Sequence, residues 1–164
     1  QITLTLFAIG IFFVLFYTWP LKYIGMGEPA VLVVWGPLMV GGGYAMITGQ
    51  VSAGAFYASI PYGLGVMAIL VGKHIDQMEF DAGREIRTLP VLIGERAARG
   101  LNVATLAFIY LAVALLIAFG RLTPFAAIVA VALPRALRWA AACTNAPPPP
   151  APAPPAPRTP APKC

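Results

Sequence analysis

Apolar residues run through this chain in long stretches, broken by short connections that carry most of its charge. A membrane span needs about 20 consecutive apolar residues, and five windows meet or approach that length: roughly 2–18, 30–48, 54–72, 101–119 and 123–140. The pattern predicts an all-α fold, a multi-span transmembrane helix bundle of about five helices, with residues 1–144 as one embedded domain. Pro37, Pro61 and Pro134 interrupt apolar runs, and each predicts a kink with a freed carbonyl that neighbouring groups must satisfy. Gly41, Gly42, Gly43, Gly63 and Gly65 predict close approach of helices. Tyr44, Tyr57 and Tyr62 read either as interfacial anchors or as cavity lining.

Composition agrees with a lipid-embedded chain. It is 59% hydrophobic and 10% charged, against roughly 25% charged residues in an ordinary soluble domain. The net charge of +5 raises nucleic acid as a partner, but the basic residues are spread over several connections with no long basic run or zinc-ligand pattern. No nucleic acid is expected; the lipid bilayer is. If the first helix ends on the inside, the inner connections hold Lys22, Lys73, Arg84, Arg87, Arg96 and Arg99, with Arg135 and Arg138 near the end of the last span, against Arg121 outside. That asymmetry places the polar segment at the cytoplasmic face. Arg135 and Arg138, three residues apart, read as snorkelling anchors near headgroups. Cys143 and Cys164 offer neither a disulfide framework nor a prenylation box. Residues 145–164, almost entirely Pro and Ala from Ala146 onward, read as a disordered tail or as an out-of-frame reading of a truncated gene. Gln1 opens directly into apolar sequence without an initiator Met or a basic leader, so the chain reads as a fragment beginning inside or just before a helix.

The connection at 74–100 differs from the others. Five of the six acidic residues, Asp76, Glu79, Asp81, Glu85 and Glu95, fall within 20 residues, and Lys73–Gly100 contains ten of the seventeen charged side chains. A solvated loop explains such a cluster. So does a site for a hard divalent cation, because carboxylates at the mouth of a membrane bundle are costly to keep and commonly functional. If the third helix continues to Asp81, Asp76 and Glu79 lie i, i+3, while Gln77 and Asp81 lie i, i+4 on a neighbouring face. Such oxygens suit Mg²⁺, which keeps several waters and takes one or two carboxylates together with substrate phosphates. Arg84 and Arg87 offer forked donors to a diphosphate. The combination points to a phosphorylated anionic substrate at a membrane surface. His74 reads as a hydrogen-bonding or interfacial residue, and nothing nearby forms a nucleophile triad or a zinc site.

The Asp-rich stretch followed by Arg87-Thr88-Leu89-Pro90-Val91-Leu92-Ile93-Gly94 resembles the second aspartate-rich motif of the UbiA superfamily of intramembrane prenyltransferases. Tyr17-Thr18-Trp19-Pro20-Leu21-Lys22-Tyr23-Ile24-Gly25-Met26-Gly27-Glu28, with Trp35-Gly36-Pro37-Leu38-Met39-Val40 after it, resembles the connection after the fourth span in that family, most closely in its 1,4-dihydroxy-2-naphthoate polyprenyltransferases. The resemblance covers roughly residues 1–140 and implies spans four to eight of a nine-helix bundle, without the family's first Asn-Asp-x-x-Asp-x-x-x-Asp motif.

For the full-length protein, the resemblance implies Mg²⁺-dependent transfer of a polyprenyl group from polyprenyl diphosphate to an aromatic acceptor. The acceptor implied is 1,4-dihydroxy-2-naphthoate in menaquinone biosynthesis, with 4-hydroxybenzoate or homogentisate as alternatives; the fragment alone is expected to be inactive, and a bacterial inner (cell) membrane is the expected location. Anchoring on Arg87-Thr88-Leu89 puts Asp81 at the last motif aspartate and Gln77 where the first is expected, leaving Asp76 or Glu79 to substitute. The implied metal ligands are therefore Asp76, Glu79 and Asp81. Tyr17 and Lys22 stand near the family's Tyr-x-x-x-Lys pattern, with four intervening residues instead of three, and join Lys73, Arg84 and Arg87 as the implied diphosphate-binding set. A transporter or channel segment and a purely structural segment are the competing readings. Transport sites sit near the bilayer midplane, whereas these acids follow a span.

Overall fold

The computed structural model describes residues 2–145, apart from the side chains of Ile2, Thr3, Thr18 and Lys22. Its helices in chain order are α1 (Ile2–Thr18), α2 (Gly27–Thr48), α3 (Ala53–Asp76), α4 (Met78–Gly83), α5 (Leu89–Ile93), α6 (Glu95–Ala118) and α7 (Pro124–Asn145), with a 3₁₀ turn at Leu21–Ile24 between α1 and α2. The architecture is an all-α, multi-span membrane bundle. Helices α2, α3, α6 and α7 are long and apolar enough to cross a membrane, whereas the apolar part of α1, Leu4–Tyr17, is shorter, so four helices rather than five reach span length among the described residues. Asn145, expected at the head of the Pro/Ala tail, closes α7; the rest of that tail lies outside the described residues.

Local chemistry explains why the helices reach beyond the apolar windows. The second window starts at 30, yet α2 begins at Gly27, taking Glu28 and Pro29 into its first turn. Proline costs no hydrogen bond there and a carboxylate complements the exposed N–H groups. The Ser52 Oγ accepts from the Ala55 N–H at 3.4 Å and so caps the start of α3. At the start of α6, Arg99 Nε donates to Glu95 Oε1 at 2.7 Å, an i, i+4 pair on the first turns. The segment expected as a loop at 74–100 is thus mostly helical.

One expectation within that segment is corrected. The third helix does not continue to Asp81: Gln77 has φ −105° and ψ 9°, which ends α3 at Asp76, and α4 restarts at Met78. Asp76 and Glu79 therefore do not share one continuous helix, and neither do Gln77 and Asp81.

The crossing of α2 and α3 is close. A Cβ at Gly63 would stand 2.8 Å from the Leu32 carbonyl oxygen and 3.0 Å from the Gly36 Cα, a gap only hydrogen fits. At Gly41 a Cβ would stand 2.7 Å from the Phe56 ring, and at Gly42 it would meet Leu6 at 3.4 Å, but Gly43 and Gly65 face open space. Packing therefore accounts for three of the five glycines. Pro37 sits in a π-helical stretch, Val34–Gly41, whose wider turns accommodate its ring. Pro134 lies at the second position of the α-helical part of α7, Leu133–Asn145, after a 3₁₀ stretch from Pro124 to Ala132.

Burial is inverted relative to a soluble domain. The buried side chains include Glu28, Ser59, His74, Asp81, Thr88, Asn102 and Thr105, while many large apolar side chains, Tyr44, Tyr57 and Tyr62 with them, are exposed. Lipid solvates apolar surface, so polar groups turn inward, and some of them find partners there. Ser59 Oγ donates to the Phe56 carbonyl at 2.6 Å and Thr105 Oγ1 to the Leu101 carbonyl at 2.9 Å.

Candidate functional site

The polar end of the bundle is tied together by the one acid outside the sequence cluster. Gly25, at φ +73°, packs so tightly that a Cβ there would lie 2.5 Å from Leu92 Cδ1 and 3.7 Å from the Arg87 carbonyl oxygen, setting the turn before α2 against the segment that enters α5. Glu28 in the first turn of α2 then points inward, with 1% exposure. Its Oε1 lies 2.7 Å from His74 Nδ1 in the last turn of α3, and the same oxygen accepts from the Leu89 N–H at 3.2 Å. One carboxylate thereby joins α2, α3 and the start of α5. A buried carboxylate with two such partners holds its neighbours in one geometry.

The predicted metal ligands separate into two environments. Asp81 is 4% exposed, and its Oδ2 is buried without a hydrogen-bond partner; Thr88 Oγ1 shares that condition. Asp76 and Glu79 are exposed. The Asp81 carbonyl accepts from the Arg84 and Ile86 N–H groups at 3.1 and 2.9 Å, closing α4 and fixing the residue's backbone. Among the described residues no group of three or more His, Cys, Asp or Glu side chains is placed to hold a metal. Asp76, Glu79 and Asp81 thus do not form a complete cage by themselves. Asp81 nevertheless fits a hard cation: an unpartnered buried carboxylate oxygen is costly unless a positive group meets it.

The predicted diphosphate ligands also divide. Tyr17 and Lys73 line one cavity of about 620 Å³ between α1, α2 and α3. Its walls are helical stripes: Gly10, Phe13, Val14 and Tyr17 on α1, Val31, Val34 and Trp35 on α2, and Val66, Ile69, Leu70 and Lys73 on α3. The spacing i, i+3, i+4, i+7 puts each stripe on a single face. Tyr17 and Lys73 stand one residue and three residues from the ends of α1 and α3, so the cavity is polar at the Asp-rich end and apolar deeper in. Arg87 lines a separate cavity of about 550 Å³ with Tyr23 and Glu85. The Arg84 guanidinium lies 4.1 Å from the centroid of the Phe80 ring, a cation–π contact. The side chain of Lys22 lies outside those described.

Reasoning from sequence passed over Glu28 as a functional group and gave His74 only a general hydrogen-bonding role. The available signal was a lone carboxylate followed by Pro29 at the head of an apolar window, a position that costs too much to keep without a partner.

A family model described as "UbiA prenyltransferase family" matches residues 1–154. The chain is 36% identical over 73 residues to UbiA prenyltransferase domain-containing protein 1 of Mus musculus, and equally to the protein of that name from Homo sapiens; each match covers 44% of this chain and 22% of the relative. The Danio rerio protein of that name is 32% identical over 74 residues, covering 45% of this chain and 22% of its own length. The matched segment thus spans about a fifth of these relatives. No solved structure matches the chain. The relatives are vertebrate proteins, which overturns the expectation of a bacterial membrane; what stands is an integral membrane chain. Their names carry no acceptor, so the comparisons support the family and not a particular likeness to 1,4-dihydroxy-2-naphthoate polyprenyltransferases.

Proposed function

This chain belongs to the UbiA prenyltransferase family, and from that premise we propose that its full-length protein transfers a polyprenyl group from polyprenyl diphosphate to an aromatic acceptor in a membrane, using Mg²⁺. The observation that carries the proposal is the cavity between α1, α2 and α3: about 620 Å³, lined by apolar side chains apart from Tyr17 and Lys73 near the ends of α1 and α3; Asp81, five residues beyond the end of α3, is buried with an unpartnered oxygen. An isoprenoid diphosphate has the same polarity, a long apolar chain with a doubly anionic head.

In the proposed reaction the C1–O bond of the allylic diphosphate breaks, the electron pair leaving with diphosphate, and a ring carbon of the acceptor bonds to C1. The attacked carbon then restores aromaticity by losing its proton or its carboxyl group. Asp81, with Asp76 or Glu79, would hold Mg²⁺, which would supply positive charge to the leaving diphosphate. Lys73 adds a fixed positive charge and Tyr17 a hydroxyl donor at the same end, both of which favour departure of diphosphate. The apolar stripes keep water from the cationic carbon, which it would otherwise capture as an alcohol. Trp35 and Phe13 line the same cavity with ring faces that suit a cation. The resemblance of the segment from Tyr17 to Val40 supports 1,4-dihydroxy-2-naphthoate as the acceptor. The test is an assay of the full-length protein with Mg²⁺, polyprenyl diphosphate and a panel of 1,4-dihydroxy-2-naphthoate, 4-hydroxybenzoate and homogentisate. Prenylated naphthoate is the expected product; no Mg²⁺-dependent consumption of diphosphate with any acceptor would reject the proposal.

A further inference from the structure

A second cavity, of about 500 Å³, lies between α3, α6 and α7. Its two ends differ. Lys73 lines it three residues before α3 ends, and Asn102 lines it seven residues into α6. A Cβ at Gly72 would stand 3.4 Å from Asn102 Nδ2, so these two positions are level across the helix pair. Helix α7 returns from the far end of α6, which brings Trp139 to this polar end and Arg135 one turn farther in. At the other end the walls are Gly65 and Ala68 on α3, Leu106 and Ile109 on α6, and Ala132 on α7. Glycine and alanine on two of the walls leave a narrow apolar track, about 12 Å long from Gly65 to Lys73 at the rise of an α-helix.

The lining carries two cations, Lys73 and Arg135, both exposed, and no acidic residue. Asn102 is 3% exposed and its Oδ1 has no hydrogen-bond partner, a state that is unfavourable until a donor reaches the oxygen. These groups describe their ligand. Cations without a carboxylate nearby select an anion, and the fork of Arg135 suits a phosphate. The same lack of a carboxylate argues against a diphosphate that travels with Mg²⁺, since that ion takes carboxylate oxygens. A single phosphodiester needs only the cations. The amide oxygen calls for a hydroxyl, the ring of Trp139 suits the level of lipid headgroups, and the track suits an acyl chain. We propose that the cavity between α3, α6 and α7 binds an anionic phospholipid with a hydroxylated headgroup, of the phosphatidylglycerol kind: its phosphate on Arg135 and Lys73, a headgroup hydroxyl donating to Asn102 Oδ1, and one acyl chain along the track toward Gly65 and Ile109. The site is separate from prenyl transfer, although Ile69 and Lys73 belong to the walls of both cavities. Its role follows from α7, which has no buried side chain among the described residues. A lipid seated between α3 and α7 fills the gap and fixes α7 against the bundle.

The experiment measures lipid binding to the full-length protein in an uncharged detergent, by native mass spectrometry with phosphatidylglycerol, phosphatidylmethanol and phosphatidylcholine of one acyl composition. Phosphatidylmethanol keeps the charge and lacks the hydroxyls. The unaltered protein should prefer phosphatidylglycerol, then phosphatidylmethanol, then phosphatidylcholine. Arg135→Gln should weaken both anionic lipids about tenfold, the worth of a hydrogen bond to a charged group, and leave phosphatidylcholine as it was. Asn102→Leu should bring phosphatidylglycerol down to the level of phosphatidylmethanol, whose own binding reports that the fold is intact. Arg138 does not line the cavity, and Arg138→Gln should change none of the three by more than about twofold. Phosphatidylglycerol should also raise the unfolding temperature of the unaltered protein and not that of Arg135→Gln. Equal losses from Arg135→Gln and Arg138→Gln would overturn the site, because surface charge alone would then hold the lipid. So would displacement of phosphatidylglycerol by inorganic phosphate or, without Mg²⁺, by polyprenyl diphosphate, which would assign the cavity to a free anion or to the donor. An unaltered protein that binds phosphatidylcholine as tightly as phosphatidylglycerol would reject the proposal outright.

Discussion

His74 Nδ1 and Glu28 Oε1 lie 2.7 Å apart across 46 residues of sequence, both side chains almost wholly buried. The same oxygen takes the Leu89 N–H. Glu28→Ala removes the partner of both groups at once, and each buried polar group left unsatisfied costs about 1–3 kcal/mol. Glu28→Gln, which keeps an acceptor at that place, should lose much less. Thermal unfolding in detergent micelles gives the comparison; an alanine variant as stable as the parent would remove the pair from any account of how this end is held.

Asp81 differs from Glu28 in having a carboxylate oxygen that the fold leaves unpartnered. Asp81→Ala in the full-length protein should therefore leave helical content and unfolding temperature nearly unchanged while lowering Mg²⁺-dependent turnover by about 100-fold or more, the scale seen when a charge-stabilising group is removed. Asp76→Ala and Glu79→Ala, at exposed positions, should each cost less. Circular dichroism and turnover at limiting Mg²⁺ test this, and undiminished turnover in Asp81→Ala would take Asp81 out of the metal site.

Gly63 and Gly65 lie two residues apart on α3 and should answer oppositely to the same change. At Gly63 an added methyl meets the Leu32 carbonyl at 2.8 Å and the Gly36 Cα at 3.0 Å, so Gly63→Ala should destabilise the bundle by about 1–3 kcal/mol. At Gly65 nothing lies within 4 Å, and Gly65→Ala should be neutral or gain about 0.5–1 kcal/mol through helix propensity. Unfolding midpoints that moved together would contradict the close crossing of α2 and α3.

Gly10 borders the deep end of the cavity proposed for the donor, two turns from Tyr17, and an added Cβ there meets nothing within 4 Å. Gly10→Phe should fill that end without disturbing the head. In the full-length protein, long-chain polyprenyl diphosphates should then turn over several-fold more slowly, with short-chain donors unaffected. A uniform loss across chain lengths would argue that the chain runs elsewhere.

The helical, multi-span class and the acid-rich segment were legible in the sequence, because each is a property of consecutive residues. Hydropathy over about 20 positions is enough to recognise a span, and Arg87-Thr88-Leu89 after a row of acids is local by construction. Three of five glycines expected at helix contacts are in contact. What periodicity could not supply was the break at Gln77, a change of two backbone angles within an otherwise helix-compatible run.

The tertiary structure alone decided which acid turns inward, which cations share a cavity and what the lone acid at position 28 does. Asp81 is buried and Asp76 exposed although both lie in one acidic run, on two helices separated by the break at Gln77. Lys73 joins Tyr17 across 55 intervening positions of chain, on helical stripes that face one another only once α1, α2 and α3 pack. Glu28 looks in sequence like a stray charge at a helix start. Its meaning depends on His74 and Leu89, brought to it by the tight turn at Gly25 and the crossing at Gly36 and Gly63. Hydropathy follows from side-chain chemistry at each position, whereas a partner across the bundle follows from which faces remain after packing, and that is settled only in three dimensions.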